Sequence, residues 1–154
     1  IGTLRHYHLL KEAFAEWEKA VTPLFHFEFV TSPYQADATI NWTARPLNHT
    51  AFSREIGVNE HTAINRALTQ NRMILSLMGH NQQPLALPLF KEMCLHEIGH
   101  MLGIQGHSPN PADVMYPSLL EGLPWTHSLS AADIATLKAL YRTAGKTVGS
   151  TTRQ

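Results

Sequence analysis

Residues 96 to 107 read His96-Glu97-Ile98-Gly99-His100-Met101-Leu102-Gly103-Ile104-Gln105-Gly106-His107, and no other stretch limits the fold as strongly. On a helix, residues four apart lie one turn above each other, so His96 and His100 aim both imidazoles at one point. Glu97 is rotated about 100° from His96, within reach of a water at that point without having to be a ligand. Gly103 stops the helix, and the irregular segment after it can fold His107 back towards the pair. Two helix nitrogens and one from the loop suit Zn²⁺ with a fourth position left open, the arrangement of a catalytic site rather than a structural one. A carboxylate in the position of Glu97 suits a general base.

Composition narrows the class. The 154 residues allow one ordinary domain. With 44% apolar and 16% charged residues, a buried core is expected and wholesale disorder is not. Lys+Arg and Asp+Glu both number 12, and this balance argues against a nucleic-acid partner or an anionic membrane surface, each of which selects a basic face. No apolar run approaches the roughly 20 residues of a membrane helix, so membrane insertion is not expected. Cys94 is the one cysteine, which excludes an internal disulfide and a Cys-rich zinc module. The chain opens on Ile1 with no basic-then-apolar leader, and is expected to be a mature piece with its targeting and any pro-segment out of view.

Periodicity sets the order of elements. An amphipathic helix is expected from His8 to Val21, with Leu10, Phe14, Trp17 and Val21 on one side and Pro23 as its stop. Phe25–Val30 and Ala38–Thr43 alternate as strands, with Ser32-Pro33 as a turn between them. Met73–Met78 reads as an apolar strand, with Val58–Leu68 as its hairpin partner. Pro84 and Pro88 introduce the second helix, Leu89 to Leu102. From Gly103 to Leu129 the chain is rich in Gly, Pro, Ser and Asn and aperiodic. A last helix starts at Ser130, capped by its hydroxyl with Asp133 reaching back as a capping box, and carries Ile134, Leu137, Leu140 and Tyr141 as its apolar stripe. Gly145 to Gln154 is polar and expected to fray. The order is that of an α+β domain.

His96-Glu97-x-x-His100-x-x-Gly103 followed by a third histidine resembles the signature of the metzincin zinc metallopeptidases. Asp113-Val114-Met115-Tyr116-Pro117 is similar to the methionine turn of the matrixin members, and His107-Ser108 is matrixin-like as well. The specific motifs cover Cys94 to Pro117, and the element order is similar over most of the chain. The resemblance implies an α+β metzincin-like catalytic domain: a twisted mixed sheet, an active-site helix, the Met-turn and a C-terminal helix. It divides residues 1–154 into an N-terminal subdomain to 103, a C-terminal subdomain over 104–144 and a flexible tail over 145–154. It further implies a zinc-dependent endopeptidase in which His96, His100 and His107 hold the metal and Glu97 is the base. Zinc would polarise the scissile carbonyl and lower the pKa of a water towards 7. Met115 would form an apolar floor and not a ligand, and Tyr116 stays outside the zinc shell.

The sequence also departs from the family pattern. The usual spacing puts the third histidine where Gly106 stands; one extra residue makes it His107, a longer form that resembles bacterial members of the group. The stretch Ala44–Asn71 lacks the Asp/Gly/His pattern of structural-zinc and calcium loops, so one catalytic Zn²⁺ and no structural zinc or calcium is expected. Only Ile1–His8 is left for the strand that opens the fold in relatives.

The remaining candidates are plainer. Cys94 lies about 200° from His96 around the helix and points into the core. His6, His8, His26, His49, His61, His80 and His127 have no paired ligand spacing and read as surface or core histidines. Asp113, after Asn110-Pro111, reads as a turn residue. Trp125, Leu119, Leu120 and Leu123 suit either the core or a pocket wall. A polypeptide substrate would add to the sheet edge along Val58–Leu68, and Leu95, Pro117, Leu119 and Leu120 would line a pocket for an aliphatic or aromatic residue on the primed side. Two rivals stand beside this reading. One is a zinc hydrolase with a carboxylate third ligand, for which only Glu121 and Asp133 are in range. The other is a zinc-binding pseudo-peptidase that acts as an interaction module, against which the intact Glu97 counts. A monomer is expected, in a secreted or cell-envelope setting, since broad proteolysis is kept out of the cytoplasm.

Overall fold

The computed structural model describes residues 2–45, 57–64, 67–79, 82–117 and 128–148. Its first element, α1 (Leu4–Val21), begins before His8 because Thr3 caps it. The Thr3 hydroxyl accepts the His6 N–H at 3.4 Å, and His6 Nδ1 accepts the Thr3 N–H at 3.3 Å. That is a capping box with histidine in the place of the usual Glu or Gln. Leu10, Ala13, Phe14, Trp17 and Val21 form the buried face, at the expected helical spacing.

Phe25–Val30 is not a strand, although its alternation is real. The rings of Phe27 and Phe29 meet Phe14 of α1 at 5.0 and 5.3 Å between centroids. The Phe27 N–H goes to the Glu18 carboxylate at 3.1 Å instead of to a neighbouring strand. Alternate side chains therefore pack on a helix, and the segment stays extended without a ladder.

Among the described residues three strands form a mixed sheet in the order β1-β3-β2: β1 (Ala38–Thr43), β2 (Gly57–Ile64) and β3 (Ala67–Ser76). β1 runs parallel to β3 with Ile40 opposite Met73, and β2 runs antiparallel with Val58 opposite Ile74. The hairpin partnership expected of Val58–Leu68 is present but shorter: β2 ends at Ile64, and Ala67 and Leu68 belong to β3 and pair back with Ile64 and Ala63, after a register shift between Thr62 and Ala63. Met73, Leu75 and Leu77 alternate into the core from β3 and its extension.

Helix α2 (Leu87–Met101) is the centre of the molecule, with Pro88 in its first turn. Phe90 and every residue from Glu92 to Gly99 are buried, so it is covered on nearly all sides, by α1 and by the sheet. The Trp17 indole N–H donates to the Leu95 carbonyl at 2.9 Å inside that contact. Gly103 ends the helix with φ +104°, a left-handed conformation that favours glycine. α3 (Ala131–Val148) opens with the expected box: the Asp133 N–H donates to Ser130 Oγ at 3.1 Å and Asp133 Oδ2 accepts the Ser130 N–H at 2.9 Å. The helix continues past Gly145 to Val148. No helix among the described residues is long and apolar enough to cross a membrane.

Candidate metal centre

The turn after α2 brings three imidazoles together. One nitrogen each from His96, His100 and His107 lies within 4.8 Å of the others, the group among the described residues that could hold a metal ion. The ring of His96 stands 4.6 Å from that of His100 and 5.3 Å from that of His107. Each helix histidine is oriented from behind. His96 Nδ1 donates to the Val114 carbonyl at 2.7 Å, and His100 Nδ1 donates to the Ile104 carbonyl at 2.6 Å. With the proton placed on Nδ1, each Nε2 presents a lone pair, and the two Nε2 atoms face each other at 3.0 Å. Two lone pairs pointed at one another repel unless a cation lies between them. Nitrogens sharing one tetrahedral zinc would be about 3.3 Å apart, so the donor set fits that ion.

Burial pushes the His96 imidazole down to about 4; its carbonyl hydrogen bond works the other way, and the neighbouring His100 and His107 add to the lowering. It is therefore neutral near neutral pH, as a metal ligand must be. His96 is 9% exposed whereas His107 is on the surface, so the cluster opens to solvent on the loop side.

The extra residue of the loop does not displace His107. A β-carbon at Gly106 would meet nothing within 4 Å, so the added length bows into open space. The base of the loop is pinned: the Ile104 N–H reaches the Gly99 carbonyl at 3.0 Å and the Ser108 N–H the Met115 carbonyl at 2.7 Å. Asp113 braces the same loop as an acceptor for Ser108 Oγ at 2.5 Å and Asn110 Nδ2 at 3.2 Å, in keeping with the turn role read from the sequence. Met115 is buried, with its sulfur against the bare Cα of Gly99 where a β-carbon would collide.

Asp133 has a second task that its capping signature does not reveal. Its buried carboxylate accepts the Val114 N–H at 3.0 Å and the Met115 N–H at 3.2 Å. It thereby fixes the peptide whose carbonyl orients His96. The same bonds commit it to the turn, which removes Asp133 as a third metal ligand; Glu121 lies outside the described residues.

Glu97 is 6% exposed, and its side chain lies against the β2 backbone at Gly57. Nothing in the local sequence signals that contact, since it joins residues far apart in the chain. Cys94 is fully buried, its thiol pushed up first by burial and then by the nearby Glu97 charge. His6, His8 and His26 stand apart from the cluster, with His6 in the α1 cap and His26 Nδ1 against Glu18 at 2.9 Å. Of the pocket residues, Leu95 is fully buried and Pro117 exposed. Leu119, Leu120, Leu123 and Trp125 lie outside the described residues, as do His49, His80, His127 and much of Ala44–Asn71.

Comparison with known proteins gives the same direction. The chain is similar to macrophage metalloelastase of Rattus norvegicus, 45% identical over 49 residues, or 32% of this chain and 10% of the relative. It is also similar to two human proteins, matrix metalloproteinase-26 (50% over 46 residues) and matrilysin (48% over 46 residues), each match covering 30% of this chain and 17% of the relative. These local matches thus span less than a fifth of each relative's length. The matrixin family pattern, by contrast, matches residues 3–142, nearly the whole chain. With the three α-helices, mixed sheet and three-histidine group of its described residues, the chain belongs to the matrixin family, as a metzincin-like α+β domain.

Proposed function

We propose that this chain is the catalytic domain of a zinc-dependent endopeptidase, with His96, His100 and His107 as the zinc ligands and Glu97 as general base. The observation that carries the proposal is the convergence of imidazole nitrogens, two of them aimed by backbone carbonyls, one residue from a buried carboxylate. When bound, zinc supplies Lewis acidity towards a water and a peptide carbonyl. Glu97 takes the proton of the attacking water and passes it to the leaving amine. Met115 closes the floor below the ligands without coordinating. Family membership and the names of the relatives, a metalloelastase and a matrix metalloproteinase among them, support a polypeptide as substrate.

The substrate strand would lie along β2, which among the described strands pairs with β3 alone and leaves its outer edge for main-chain hydrogen bonds. Side-chain preference on the primed side is assigned to Pro117, Leu119 and Leu120; Leu95, fully buried, is not available to touch a substrate side chain. One domain, one zinc and a monomer complete the proposal, with subdomains meeting near residue 103 and the longer, bacterial-type spacing before His107.

Metal analysis and an assay on casein or gelatin with and without chelator test this reading. The purified protein should hold about one zinc per chain and show chelator-sensitive cleavage. Glu97→Ala should keep its zinc and lose roughly 10²–10⁴-fold in rate, since the base is not a ligand. Zinc binding without turnover in the parent chain would instead favour the non-catalytic interaction module.

A further inference from the structure

The approach of β2 to Glu97 has an unusual cause. A β-carbon placed on Gly57 would fall within the Glu97 side chain, and its three nearest neighbours, Cγ, Oε1 and Cδ, all belong to that residue. Among the described glycines only Gly103 has a positive φ, so the conformation of Gly57 is open to any residue. Space alone excludes a side chain there, and the nearest atoms in that space are those of Glu97. The β2 backbone cannot easily retreat: Gly57 is buried and paired with Leu75, itself fully buried in the central strand. Of the two parties, the end of the Glu97 side chain is the one that can move.

We infer that Gly57 is a positioning residue for the proposed base: its lack of a side chain is what lets the Glu97 side chain take its place against β2, next along α2 from His96. This rests on Glu97 being the base. A methyl group at 57 would turn the carboxylate away while leaving the backbone, the ligands and the substrate edge in place. Displacement of a catalytic group by about 1 Å can cost on the order of 10²-fold in rate.

Two measurements on Gly57→Ala test the inference. In the zinc-loaded enzyme with a fluorogenic peptide, kcat should fall by about 10- to 100-fold with KM and zinc affinity unchanged; a kcat equal to the parent's would overturn the inference. In the metal-free protein, the change in Tm caused by Gly57→Ala should largely vanish when Glu97→Ala is also present, whereas equal changes in both backgrounds would overturn it. Should Gly57→Ala alone fail to fold, a restored cooperative melt in the Gly57→Ala/Glu97→Ala protein supports the contact, and continued unfolding refutes it. A fully active Glu97→Ala would remove the base reading, and the metal-free melts would still decide whether Gly57 sets the Glu97 side chain.

Discussion

Backbone carbonyls select the tautomers of the two helix histidines. The Val114 and Ile104 carbonyls each accept a hydrogen bond from an Nδ1–H, so the Nε2 lone pairs converge. One turn before His96, Glu92 is 5% exposed, and burial pushes its carboxyl up to about 7 from an ordinary 4.5. A carboxyl raised in the folded state binds more protons there than in the unfolded chain. Its contribution to stability therefore falls as pH rises from about 4.5 to about 7, and levels off above. Glu92→Gln should remove that slope, gaining stability relative to the parent at about pH 8 and little at about pH 5, as read from urea midpoints. A parent-like pH slope in Glu92→Gln would mean that another group sets it. At this scale the helix pair of His96 and His100 was legible in the sequence, because a four-residue spacing has one meaning on a helix. The carbonyl partners were not, since any backbone could have supplied them.

Elements meet at Asp133. One buried carboxylate caps α3 through Ser130 and holds the N–H groups of Val114 and Met115, so helix start and methionine turn form a single unit. Removal of this acceptor leaves three backbone donors without it, two of them in buried residues. Asp133→Ala should thus cost about 2–4 kcal/mol in denaturant unfolding, with zinc affinity falling in step as the Val114 carbonyl loses its place behind His96. A loss below about 1 kcal/mol would show that water or a neighbour replaces the carboxylate. The cap could be read from Ser130 and Asp133 because it is local. The bond to the turn could not, because it depends on how α3 packs. The same distinction explains Phe25–Val30: its alternation marks the side whose rings pack, with Phe25 and Phe27 half-buried and Phe29 exposed, but whether that side meets a sheet or a helix is decided by Phe14 and Glu18. The edge position of β2, in turn, follows from β1 pairing with the other side of β3, a long-range contact that the visible apolar run of Met73–Met78 does not announce.

In the whole molecule, α2 is held by three separate ties. Trp17 of α1 bonds the Leu95 carbonyl, Tyr141 of α3 bonds the Leu102 carbonyl at 3.0 Å, and Glu16 joins Lys91 at 3.0 Å to the Leu129 N–H at 3.0 Å. The half-buried Glu16–Lys91 pair adds little energy by itself; what matters is that α1 contacts both the active helix and the start of α3. This frame delivers two histidines rigidly, and the loop from Gly103 must deliver the third across one additional residue. The most direct test is zinc affinity, titrated against a competing chelator, in His107→Ala beside the parent. Loss of one of three protein ligands should weaken zinc by at least about 10²-fold, while the metal-free melt stays that of the parent because His107 is exposed. Equal zinc affinity in His107→Ala and the parent would contradict the three-histidine site.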